Sequence, residues 1–191
     1  MDPETGDQGE SRVSKSHYHP LSIGLHWLMF ILFVIALAAI EIRGYVPKDA
    51  GAEFRAQLRQ WHILSGLFVF VLVWLRIAVK LRFGAPPILG ESAWQVRAAH
   101  ALHGLLYLVM ILLPVTGVVF SQAGGREIGV FGVVLPMMVS PDPELRALVK
   151  NVHELLGNAV YFLVGLHAVA ALWHHFVLKD DTLRRMRFKQ D

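Results

Sequence analysis

The stretch VHELLGNAVYFLVGLHAVAALWHH, residues 152–175, sets four histidines in a segment that is otherwise almost entirely apolar, with no acid after Glu154. A helix that crosses a hydrocarbon layer about 30 Å thick needs roughly 20 predominantly apolar residues. His153–Leu178 meets that length, and so do Leu21–Ile40, Trp61–Leu81 and Ala98–Phe120. Strands of a membrane barrel would be about half as long and would alternate, which these runs do not. Composition agrees: the 191-residue chain is 54% hydrophobic and 17% charged, against about a quarter charged in soluble domains. Its mean hydropathy is +0.47. The fold expected is an all-α integral membrane four-helix bundle with spans at about 21–41, 61–82, 98–120 and 153–178.

Residues 1–16 show no apolar periodicity and read as a disordered polar tail. Residues 17–186 form the membrane domain, and 187–191 a C-terminal tail. Ala36-Leu37-Ala38 loosely matches a signal-peptide cleavage site. The leader is long and acidic, however, and the apolar run exceeds a typical signal core, so the first span is kept as a mature helix. Four spans put both termini on one side. That side carries ten Lys and Arg (Arg12, Lys15, Lys80, Arg82, Arg97, Lys179, Arg184, Arg185, Arg187, Lys189). The other side carries seven (Arg43, Lys48, Arg55, Arg59, Arg126, Arg146, Lys150), Arg76 lying within a span. The excess of basic residues marks the cytoplasmic side, so both termini are expected there. The pI of 9.4 then reflects membrane topology and not nucleic-acid binding, since there is no soluble basic domain.

The connections differ in kind. Pro86-Pro87 forbid helix in the short inner loop. The outer loop contains VFGVVLPMMV, 130–139, too short to cross and broken by Gly132 and Pro136, and reads as an interfacial lid. Asp142 as cap and Pro143 at the first helical position place the start of the last helix near Pro143. No internal repeat suggests a transporter of the inverted-repeat kind.

The histidines are explained by helix geometry. His153 and His167 are fourteen residues apart, an advance of about 21 Å that ends about 40° short of four complete turns. They share a face but lie near opposite edges of the bilayer, too far apart to share a metal, so each needs a partner from another helix. His26 lies at the inner level, with His167. His62 lies at the outer level, with His153. Paired imidazoles hold haem iron from both axial sides. Gly66 and Gly157 follow His62 and His153 by four residues and make room for a flat macrocycle, although ordinary small-residue helix packing also accounts for them. His100 and His103 are rivals for the inner ligand role; His17 and His19 read as interfacial. The chain has no cysteine, which removes covalent haem attachment, Cys-ligated iron–sulfur clusters and disulfides. Any haem must then be non-covalent, b-type and held mainly by histidine, and the two pairs would hold two; hydrogen bonding between helices is the other reading of intramembrane imidazoles. Zinc catalysis is disfavoured because the pair His153-Glu154 lacks the second His of H-E-x-x-H.

Six stretches, in order, resemble the bacterial cytochrome b561 family: LSIGLHWLMF, EIRGYVP, WHILSGL, AHALHGLLYLVMILLPVTG, HELLGNAVYFLVGLHAVAALWHHF and KDDTLRRM. They run from about Tyr18 to Met186. That family comprises short four-helix di-haem proteins of the bacterial inner membrane and includes superoxide oxidases. The resemblance implies axial ligands at His26, His62, His153 and His167, in agreement with the level matching. It also implies a quinone site at His174, beside the inner haem, where an imidazole suits hydrogen bonding and proton delivery. His175, about 80° round the helix, is the alternative, with interfacial anchoring open for both and for Trp173.

Arg76, fourteen residues after His62, lies at the inner edge, where it is a candidate to pair a haem propionate or a quinone oxygen; snorkelling to headgroups is the other reading. Arg43 is expected to neutralise an outer propionate. The activity implied is transmembrane electron transfer from superoxide or another small redox donor to ubiquinone. Basic outer residues (Arg43, Lys48, Arg55, Arg59, Lys150) would steer an anion, against the counter-effect of Glu41, Asp49 and Glu53. Alternatives are a generic respiratory cytochrome, or a haem anchor passing electrons between quinol and a partner redox protein docked on 121–152. A His-lined ion carrier is disfavoured because the only acid between residues 61 and 120 is Glu91, in a loop.

Overall fold

The computed structural model describes residues 17–90 and 92–188; the expected tail 1–16 and most of 187–191 lie outside them. Four long helices dominate: α1 (Pro20–Tyr45), α2 (Ala52–Phe83), α3 (Ala93–Ala123) and α4 (Pro143–Trp173). Each is long and apolar enough to cross a membrane, α4 together with its continuation to Leu178. A two-residue hairpin, β1 (Gly129–Val130) with β2 (Val133–Val134), is antiparallel and lies in the loop before α4.

The helices begin and end where backbone chemistry demands. His19 Nδ1 accepts from Leu21 N at 3.3 Å, with Pro20 at the first helical position. Asp142 Oδ1 accepts from Glu144 N and Leu145 N at 2.9 and 3.0 Å. The Gln95 side chain accepts from Ser92 N at 3.1 Å. These are the orphan donors that every helix start must satisfy. Gly84, at φ +72°, ends α2 and donates to Lys80 O, in a conformation that residues with a Cβ adopt only at a cost.

Helix α1 packs chiefly on α2, and α3 on α4, so the bundle is two helical hairpins laid together. Met29, Val69, Val73 and Met110 form the buried centre. Met29 is one turn from His26 and Val69 two turns from His62, which places this apolar layer between the two histidine levels. In α4 only Val160 is buried. The rest of that helix faces neighbours loosely, or faces outward as a span in lipid does.

In the last turn of α3, at the end of the bundle away from the termini, Gln122 is fully buried and anchors the connecting loop: its Nε2 donates to Pro136 O (2.8 Å) and its Oε1 accepts from Met138 N (3.0 Å). The hairpin is further held by Gln60 Nε2 on Gly129 O (2.7 Å). Phe131, at φ +50°, packs on Phe68 of α2 at a ring spacing of 6.1 Å.

Candidate functional site: two imidazole pairs across the bundle

The site at the end away from the termini, called outer after the expected orientation, is built from all four helices. His62 and His153 face one another with ring centroids 6.1 Å apart. Each is oriented through Nδ1. That of His62 donates to Ala36 O at 2.9 Å. That of His153 lies 3.1 Å from both Leu113 O and Thr116 Oγ1. A carbonyl only accepts, so Nδ1 carries the hydrogen and Nε2 is left with its lone pair. This is the usual second contact of a metal-ligating histidine. Pro114 lies within α3 and has no N–H to give. The Thr116 hydroxyl sits 2.9 Å from Leu112 O and Leu113 O, tying that region to His153.

The two rings open on a cavity of about 460 Å³ lined also by Gly66, Gly117 and Gly157, a size suited to a cofactor. A Cβ built at Gly66 or Gly157 meets nothing within 4 Å, whereas one at Gly117 comes within 3.2 Å of His153 Cε1. The mouth carries Arg43, Arg59, Arg126, Arg146 and Lys150. Of its acids, Glu154 pairs with Lys150 at 2.8 Å, and Glu41 accepts from Tyr161 OH at 2.7 Å. A smaller recess beside it, about 190 Å³, is lined by Arg43, Lys48, Arg55 and Arg59. Arg55 is fixed there by Arg43 O and Val46 O, while Arg43 Nε is buried without a partner.

The inner site draws on all four helices. His26 and His167 have ring centroids 6.1 Å apart. His103 stands 5.3 Å from His167 with its Nδ1 on Ala99 O at 2.7 Å. Arg76 crosses the site: its guanidinium donates to Ser22 O (3.1 Å) and Tyr107 OH (3.2 Å) and approaches His26 Nδ1 at 3.5 Å. His100 is exposed and bonds Val96 O in its own helix. Below this level the helix continues as a π-helical turn, His174–Leu178. His174 Nδ1 contacts Asp180 Oδ2, and His175 packs edge-on against Phe176. His19, read as merely interfacial, caps α1 and stacks on Phe83 at 3.9 Å.

Does this donor set fit haem? Two imidazoles whose facing nitrogens would each reach one metal at about 2.0–2.1 Å would have ring centres roughly 6.3–6.5 Å apart. Both cross-helix pairs, at 6.1 Å, come close to that spacing. The 5.3 Å between His103 and His167 is too short for it and suits ring packing. The open ground before Gly66 and Gly157, with a cationic mouth for carboxylates, fits a flat porphyrin bearing propionates. The residues present fit the group.

Residues 17–189 match the family model described as prokaryotic cytochrome b561. The chain belongs to this family. The cytochrome is similar to cytochrome b561 homolog 1 of Escherichia coli (strain K12), at 37% identity over 90% of this chain and 97% of the relative. It is similar at 38% identity, over 91% and 97%, to a Yersinia pestis protein named probable superoxide oxidase CybB. It is 31% identical, over 88% and 94%, to cytochrome b562 of Cereibacter sphaeroides. Membership makes the cytochrome a multi-pass protein of the bacterial inner membrane, of a haem-b-binding electron-transfer family.

The fold brings His26 to His167 and His62 to His153, lines the outer cavity with Arg43, Gly66 and Gly157, and sets Arg76 beside His26. Thr116, Leu113 and Ala36 carry no sequence signal for this site, because they meet the rings through backbone carbonyls or across helices. Asp180 was not among the expected residues, although it carries such a signal, an acid six residues beyond a histidine at a helix end.

Proposed function

We propose that this cytochrome holds two b-type haems, one on His62 and His153 and one on His26 and His167. It carries electrons from superoxide on the outer side to ubiquinone on the inner side, with both termini in the cytoplasm. The observation that carries this reading is the pair of 6.1 Å imidazole spacings at opposite levels of one bundle. The name of the Yersinia pestis relative supports the donor, as do the basic recess and the cationic cavity mouth, which attract a small anion.

Bound haem supplies one-electron redox chemistry at each level. The protein's own residues do the rest. Ala36 O and Leu113 O fix the ring orientation and tautomer of the outer pair, and raise the basicity of the ligating nitrogens. Arg43 and Arg59 give carboxylates a charged partner at the mouth. Met29, Val69, Val73 and Met110 form a dry layer between the levels, where water and ions are costly, so that electrons cross and protons do not. Arg76, held by Ser22 and Tyr107, keeps a positive charge at the inner pair. His174 hydrogen-bonds the quinone.

The test is a flux of superoxide on purified protein, with and without ubiquinone, while the haem bands are followed. Rapid haem reduction with quinol formation is expected. Haem that stays oxidised under superoxide but reduces with quinol would overturn the donor assignment and leave a generic quinol-linked carrier.

A further inference from the structure

We infer that Asp180 is the positioning residue of a proton-delivery dyad with His174 at the inner end of the bundle, an inference that rests on the quinone site proposed above. The geometry is local and specific. The π-helical turn His174–Leu178 widens the end of α4, a feature often found at functional positions. Lys179 then takes the left-handed conformation, φ 53°, which a residue with a Cβ adopts only at a cost. That reversal brings Asp180 back beside the helix it has just left: Asp180 N donates to His174 O at 3.1 Å, and Asp180 Oδ2 lies 2.5 Å from His174 Nδ1.

The carboxylate is itself fixed. Thr182 N donates to Asp180 Oδ1 at 2.8 Å, and Thr182 Oγ1 lies 3.4 Å from His174 Nδ1. The segment is clamped to the bundle at two further points, by Arg185 on Pro87 O (3.1 Å) and by Trp27 Nε1 on Met186 O (2.9 Å). Burial pushes the Asp180 carboxyl up, but hydrogen bonds from His174 and Thr182 outweigh it and hold the carboxyl below its ordinary value. Asp180 is therefore an anion facing Nδ1. The two side chains remain 21% and 25% exposed, which leaves water within reach to resupply a proton.

With Nδ1–H given to Asp180, Nε2 is the ring nitrogen left for the quinone. An anion behind the ring stabilises the imidazolium and fixes its orientation. Two electrons arrive singly from the cytochrome. As the facing quinone C=O becomes C–OH, the proton on Nε2 moves to that oxygen and His174 is left neutral, still bonded to Asp180. Water on the inner side reprotonates Nε2 and supplies the proton for the second oxygen.

The experiment separates two half-reactions in the full-length haem-loaded protein: superoxide-driven haem reduction without quinone, and steady-state ubiquinone reduction. Asp180→Asn keeps an acceptor for Nδ1–H but removes the charge. It is expected to lower kcat for quinone reduction about 10- to 100-fold, up to the lower end of what positioned proton transfer contributes, since His174 itself remains. KM, haem content and the haem-reduction half-reaction are expected to stay within about twofold. Asp180→Glu is expected to recover part of kcat. Nitrogen-15 NMR of His174 in the reduced protein is expected to show protonated Nδ1 in the wild type and an altered signal in Asp180→Asn. Should that variant lose haem, Thr182→Val, which leaves the carboxylate but removes its hydroxyl neighbour, is expected to show a several-fold kcat loss with haem intact. A kcat within about twofold of wild type in Asp180→Asn, or equal losses in both half-reactions, would overturn the dyad alone. A wild-type protein that reduces no quinone would overturn the quinone site and the dyad with it.

Discussion

Filling the space in front of Gly66 and Gly157 separates a cofactor cavity from slack helix packing. A Cβ at either position meets no heavy atom within 4 Å, so Ala is sterically free in the polypeptide alone. It removes a helical glycine worth up to about 1 kcal/mol of propensity. If the cavity of about 460 Å³ were only loose packing, Gly66→Leu and Gly157→Leu would be neutral or stabilising. If a porphyrin fills it, the same side chains overpack the holoprotein by about 1–3 kcal/mol each. At about 1.4 kcal/mol per factor of ten, that weakens outer haem binding roughly 5- to 150-fold. The assay is haem per polypeptide by pyridine haemochromogen, with thermal unfolding of the apoprotein in the same detergent. The expected outcome is loss of outer haem, retention of inner haem, and an apoprotein at least as stable as wild type. Full haem content in the Gly66→Leu/Gly157→Leu double variant would refute the assignment of this cavity.

Three further outcomes follow from the geometry. Gly117→Ala brings a methyl to 3.2 Å from His153 Cε1, displacing the ring by a few tenths of an ångström. Weakening its contacts with Leu113 and Thr116 is expected to shift the outer haem potential and lower its affinity about 10- to 100-fold, read by redox titration. Gln122→Leu strands Pro136 O and Met138 N, which it now satisfies, at about 1–3 kcal/mol per orphaned group. A Tm lower by about 5 °C or more is expected in scanning fluorimetry, with the haem spectrum unchanged. A C-terminal fusion is expected to fluoresce with green fluorescent protein and stay inactive with alkaline phosphatase, and the reverse result would invert the proposed topology.

Hydropathy made the four spans legible, because lipid asks for one simple property over a known length. The helices run past the apolar runs, however. Helix α2 begins at Ala52 and not at Trp61, since Glu53, Arg55 and Arg59 are polar but remain good helix formers and project beyond the hydrocarbon. The start of α4 at Pro143 was readable although it precedes the apolar run, because Asp142 and Pro143 carry a local capping signal. The expected lid at 130–139 overlaps a small hairpin that turns through Phe131 and Gly132 at positive φ and is held by the distant Gln60, while Gln122 holds the stretch after it. No local pattern announces such contacts. In the site, fourteen-residue spacing sufficed to put His153 and His167 on one face. It did not reveal that His103 would stand 5.3 Å from His167, because lateral placement depends on how α3 packs beside α4. Nor did it reveal that backbone carbonyls orient the outer rings.

The central claim is that four imidazoles hold two haems at two depths, and haem stoichiometry tests it most directly. The wild type is expected to carry two haems per chain. His62→Ala and His26→Ala are each expected to carry one, with distinct remaining spectra, and the double variant none. A wild-type content of one haem, or single variants whose iron and visible bands equal the wild type, would contradict it.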